Sequence, residues 1–95
     1  MPDGQSKAAY IIICSGQIDV LNAPKRQDKL KAASDAARHL TSYYGERCTA
    51  AQTAPISDLQ HEMMDNFDSW NNTQVDSNVA IMFGLLHDLE DEMEG

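Results

Sequence analysis

Residues 48–95 of this chain contain no lysine and no arginine. All seven basic residues (Lys7, Lys25, Arg26, Lys29, Lys31, Arg38 and Arg47) precede that point, so the overall charge of -8 divides into +2 for residues 1–47 and -10 for the remainder. Binding to phosphate depends on lysine and arginine neutralising charge, so the second half is excluded from direct nucleic-acid contact and is repelled by anionic membranes. Long apolar runs are missing as well. The longest, Ala8 to Cys14, falls far short of the roughly 18 residues a membrane span requires. The opening Met-Pro-Asp-Gly-Gln-Ser has neither the basic region nor the small-residue cleavage site of a secretory signal, and a cytoplasmic protein is expected.

Residues for catalysis are equally sparse. The two cysteines, Cys14 and Cys48, have no Cys-x-x-Cys spacing and read as reduced thiols, Cys14 within an Ile-rich core segment. The five glycines (Gly4, Gly16, Gly45, Gly84 and Gly95) never cluster, so no phosphate-cradling loop is present, and no serine sits in a nucleophile elbow. Asn71-Asn72-Thr73 matches a glycosylation sequon, which without a secretory signal reads as a chance match. Histidines do stand at helical spacing from carboxylates, as in Asp58, His61 and Asp65. Carboxylate and histidine three apart is a di-iron bundle pattern, but His61 projects roughly 160° from the apolar face of its segment, so the groups point outward. No metal, no cofactor and no enzyme activity are expected.

What remains is helical periodicity. At 95 residues a single domain is expected, and three segments repeat at the helical period. Over residues 24–44, Leu30, Ala33, Ala37, Leu40 and Tyr44 fall within roughly 80° of one another. Asn22 is read as the N-cap and Gly45 as a left-handed C-cap. Over 57–71, Ser57 is the expected cap and Leu59, Met63, Phe67 and Trp70 the core face. Over 74–93, capped by Thr73 or Asp76, Val75, Val79, Met82, Phe83, Leu86, Leu89 and Met93 form a continuous stripe. Residues 45–56 are left as an inter-helix loop, 1–6 as a flexible N-terminus and 88–95 as an acidic end.

The first segment, 8–21, is ambiguous. Its β-branched run followed by Ser15-Gly16-Gln17 suits a hairpin. Read as a helix capped by Ser6, it places Ile11, Cys14, Ile18 and Leu21 on one stripe, at the cost of about 1 kcal/mol for Gly16 in mid-helix. Consistency with its neighbours favours the helix. The expected fold is all-α: a small four-helix domain, with a β-hairpin plus three helices as the alternative. Up-and-down packing would bring Arg38 and Arg47 to the Asp88 to Glu94 terminus, and the basic start of the second helix to Asp65, Asp68 and Asp76.

Ile81 and Leu85 lie outside the stripe of the last helix and widen its apolar arc to roughly 200°, more than one face of a monomer can hide. Methionines suit surfaces that repack, and Met64 lies beyond its own stripe. The candidate partner-binding set is therefore Met64, Trp70, Ile81, Leu85 and Leu89, with Asp88, Asp91 and Glu92. The expected function is binding of another protein, such as a transcription regulator or other nucleic-acid-binding protein, as an inhibitor, antiactivator or immunity-type regulator, within a homodimer. One alternative is a nucleic-acid mimic or phage counter-defence protein. Another is a small-ligand binder in which Lys25, Arg26, Lys29 and Lys31 grip an anion.

Overall fold

A computed structural model describes residues 4–94, with side-chain surroundings from residue 8 onward, as four α-helices. These are α1 (Gly4–Asn22), α2 (Arg26–Tyr44), α3 (Ala50–Asp65) and α4 (Asn72–Glu94), with a 3₁₀ turn over Gly45–Arg47 between α2 and α3. No strand occurs among the described residues, so the hairpin reading of 8–21 gives way to helix. Residues 4–6, expected in a flexible N-terminus, belong to α1; residues 1–3 and 95 lie outside the described residues.

The helices run up and down. Tyr44 donates to Glu94 at 3.2 Å and Gln52 to Glu92 at 3.4 Å, so the end of α2, the start of α3 and the end of α4 share one end of the bundle. At the other end Gln27 donates to Asp68 at 3.2 Å and Lys29 pairs with Asp76 at 3.4 Å. The basic start of α2 thus meets acids of the second half, as expected. Arg38 and Arg47 do not follow that scheme. Arg38 pairs with Asp35 on its own helix. Arg47 donates to the Tyr43 and Tyr44 carbonyls and lies 5.2 Å from both ring centroids, near enough for cation–π attraction.

Two capping boxes set the starts of α3 and α4. Thr49 accepts from the Gln52 backbone N–H while the Gln52 side chain accepts from the Thr49 N–H. Asn71 and Gln74 repeat the exchange at 2.9 Å each way. Each pair satisfies two otherwise orphaned donors. Helix α3 therefore begins at Ala50, inside the expected 45–56 loop, and Pro55 lies within it. Proline removes one N–H from the helical ladder, and burial of the adjacent Ile56 against the core offsets part of that loss. Ser57, Thr73 and Asp76 are helix-interior residues, not caps. Lys25 takes the N-cap position expected for Asn22, without a side-chain cap, while Gly45 closes α2 at φ 54°, a conformation glycine adopts freely.

The core faces of α2 and α4 are those the periodicity predicts. Leu30, Ala33, Ala37, Leu40 and Tyr44 are buried, as are Val75, Val79, Met82, Phe83, Leu86 and Leu89, while Met93 packs at the core's edge. Helices α2 and α4 touch each other and both remaining helices, whereas α1 and α3 do not meet among the described residues. The cross-section is consequently a flattened rhombus, with extents of 39 × 27 × 17 Å. The outer helices α1 and α3 each have a side that no other described element covers.

On α1 the buried side is the reverse of the expected one. Ala9, Ile13 and Gly16 face inward with Val20 beside them; Ile11, Ile18 and Leu21 are exposed and Cys14 is only half-buried. The cause is closeness. A Cβ built on Gly16 would stand 2.5 Å from the Ala36 Cβ and 3.2 Å from the Phe83 ring. Small residues on α1 against the alanine face of α2 let the two backbones approach, which larger isoleucines on the opposite stripe would prevent.

Candidate functional site

Two surfaces stand out, on the uncovered sides of α1 and of the α3–α4 pair. Along α4, Ile81, Leu85, Asp88 and Glu92 follow one another at i, i+4, i+7 and i+11, so a single line runs from apolar to acidic. Ile81 is 54% exposed and Leu85 half-buried. Beside the lower part of that line lies an open groove of about 180 Å³, lined by Ala51, Pro55, Leu85, Asp88 and Glu92, with Ile56 and Leu89 at its floor. Pro55 and Ala51 present apolar surface there because α3 starts early. Read as a loop, residues 50–56 could not have formed this wall.

The expected partner-binding residues are thus divided by the fold. Ile81, Leu85, Asp88 and Glu92 share the α3–α4 face, and Asp91 is exposed one step around α4. Leu89 is only 2% exposed and belongs to the core, so its expected surface role is withdrawn. Trp70 is half-buried against the core, beyond the end of α3. Met64 is 57% exposed but sits on another side, lining a groove with Lys31, Ser34, Arg38 and Phe67 between α2 and α3.

The proposed anion cluster also disperses. Lys29 is engaged by Asp76, Lys31 turns toward the Met64 groove, and Lys25 is exposed at the N-cap. Arg26 is half-buried, its Nε without a partner. At 100° per residue Lys31 points to another side of α2 from Lys25, Arg26 and Lys29, so the four do not close together around one anion.

Three side chains, Cys48, Tyr44 and Tyr10, have surroundings that suppress ionisation. Burial pushes the Cys48 thiol above its ordinary value, and Arg47 only partly opposes the shift. An activated nucleophile requires the opposite displacement. The Tyr44 phenol is also raised, first by burial and then by Glu94. Tyr10 is raised by its hydrogen bond to Cys14. His61, Asp58 and Asp65 are all exposed, pointing outward as the spacing predicts. No group of three potential metal ligands occurs among the described residues, and none of the described helices is long and apolar enough to cross a membrane.

The largest apolar exposure among the described residues was not anticipated as a surface. It lies on α1, where Leu21 is 83% exposed, Ile18 56%, and Tyr10 and Ile11 are comparably open. The signal was visible in the sequence as apolar residues on both sides of one helix. What could not be read was which side packs. No known protein family matches the chain, and no curated protein or solved structure does so either.

Proposed function

We propose that the protein acts by binding another protein through the α3–α4 face, as an inhibitor, antiactivator or immunity-type regulator, and that it is not an enzyme. The observation carrying this reading is the line Ile81, Leu85, Asp88 and Glu92 beside the Pro55 groove. Apolar groups at its centre supply the contact energy on desolvation. Acids at its end, in a half of the molecule with no compensating Lys or Arg, select a basic partner surface and speed encounter with it. A nucleic-acid-binding protein, whose own contact surface is basic, has the matching chemistry.

The test uses a partner captured from the native cell, purified, and titrated against variants. Ile81→Asp, at an exposed position, is expected to weaken binding by about tenfold or more; Leu85→Asp should do the same, with circular dichroism confirming that it folds. Unchanged affinity in both would remove this face. A steep loss of affinity with salt and displacement by DNA, with Ile81→Asp harmless, would replace the reading by nucleic-acid mimicry.

A further inference from the structure

We propose that the exposed stripe of α1 is covered by α1 of a second copy of this chain, packed antiparallel across a two-fold axis. This seam is separate from the α3–α4 face, so either can stand without the other.

Three observations converge on it. The first is spacing. Ile11, Cys14, Ile18 and Leu21 recur at 3, 4 and 3 residues, the a and d positions of a coiled-coil seam, and they are exposed or half-buried in the protomer. Helices packed inside this bundle bury broader arcs. A strict two-position stripe suits one facing helix. Between Ile11 and Leu21 it carries no charged side chain, so no oppositely charged partner is selected there, and an apolar seam of this pattern is complementary to itself.

The second is register. Antiparallel pairing centred on Gly16 places Ile11 opposite the partner's Leu21 and Cys14 opposite the partner's Ile18. Tyr10, flanking the seam, then falls over the far end of the partner's stripe. At that end the protomer has an open groove of about 340 Å³ between α1 and α4, lined by Gln17, Val20, Leu21, Val79 and Phe83. An aromatic ring in this groove would cover the apolar edges of Val79 and Phe83. Tyr10, Ile11, Ile18 and Leu21, each at least half exposed, supply this contact together with the groove and its flanks, and the low end of stable interfaces is about 600 Å² per partner.

The third is charge at the two ends. Lys25 and Arg26 follow the end of α1 after Ala23 and Pro24. Glu90 lies near Tyr10 at its start, and Glu94 shares that end through Tyr44. Antiparallel packing brings Lys25 and Arg26 of each copy toward the end of the other where Glu90 and Glu94 lie and where α1 also has Lys7, whereas parallel packing sets Lys25 and Arg26 against their own counterparts.

Light scattering with size exclusion on the full chain at about 100 μM should give twice the 10.5 kDa protomer mass, a concentration well above the micromolar dissociation constant expected of a small interface. Ile18→Asp, at a solvent-exposed position, should give the protomer mass with an unchanged helical spectrum. Orientation is read by Ile18→Cys, which places a thiol opposite the partner's Cys14 and should form a covalent dimer under mild oxidation. Wild-type Cys14 should not link to its counterpart, since the antiparallel offset separates them beyond disulfide reach. A monomeric wild type, or a dimer that survives Ile18→Asp, overturns the seam. Rapid wild-type Cys14 cross-linking with none gained by Ile18→Cys overturns the antiparallel packing. If Ile18→Asp fails to fold, the Ile18→Cys cross-link still decides.

Discussion

Helices α1 and α4 both carry long apolar stretches, yet they meet the rest of the chain in opposite ways. Helix α4 buries a continuous stripe of its larger side chains, from Val75 to Leu89. Helix α1 buries its small ones, Ala9 and Gly16 around Ile13, and leaves Tyr10, Ile11, Ile18 and Leu21 outside. The contrast follows from position in the rhombus. Helix α4 is central, touched by all three others, so area is what it can contribute and large residues serve best. Helix α1 is peripheral and gains most from coming very close to α2 along one line, where dispersion contacts depend on atomic proximity. The apolar content of a helix therefore states how much surface seeks cover, while the smallest side chains state where a neighbour comes nearest.

The sharpest way to break this comparison is Gly16→Ala. Alanine is the better helix former by about 1 kcal/mol, so a helix that tolerated the methyl group would be stabilised. A Cβ at 2.5 Å from Ala36, in two helices built against each other, instead forces them apart. Overpacking of this kind costs roughly 1–3 kcal/mol beyond the propensity gain. The expected net loss is about 2 kcal/mol in urea unfolding followed by helical dichroism, and a lowering of Tm by roughly 8–15 °C. A neutral or stabilised variant would mean that α1 packs through its other face.

A smaller effect separates the helix starts. Asn71→Ala removes the acceptor for the Gln74 N–H and should cost about 1 kcal/mol; Thr49→Ala should cost a similar amount at α3. If neither changed the unfolding midpoint, the boundaries of α3 and α4 would not rest on their boxes. Both boxes were present in the sequence as Thr49-x-x-Gln52 and Asn71-x-x-Gln74. They were overlooked because propensity describes an isolated segment, in which proline disfavours a helix interior, and packing of Ile56 does not enter it. The faces of α2 and α4 were legible because each has one apolar side. That of α1 was not, since the pattern marks two sides, and only the fit of Gly16 against Ala36 and Phe83 distinguishes them. For the candidate surface, Ile81, Leu85, Asp88 and Glu92 were found from periodicity alone. Pro55 and Ala51 were missed with the start of α3, and Leu89 was assigned outward although it lies on the buried stripe.

Gly84→Ala completes the contrast with the smallest change. Gly84 is exposed in mid-helix on α4, and a Cβ there meets nothing within 4 Å. The same substitution that crowds α1 should here raise stability by about 0.5–1 kcal/mol, through the lower backbone entropy of the unfolded chain and better shielding of the helix. In the same urea titration the midpoint should rise with an unchanged slope, since the area exposed on unfolding is the same. The two alanines should therefore move stability in opposite directions from one chemical change, the sign being set by whether a neighbouring helix stands within reach of the new methyl. A loss at Gly84 would place a contact within the chain on the outer side of α4, the side next to Ile81 and Asp88, and would take that side away from the proposed partner-binding surface.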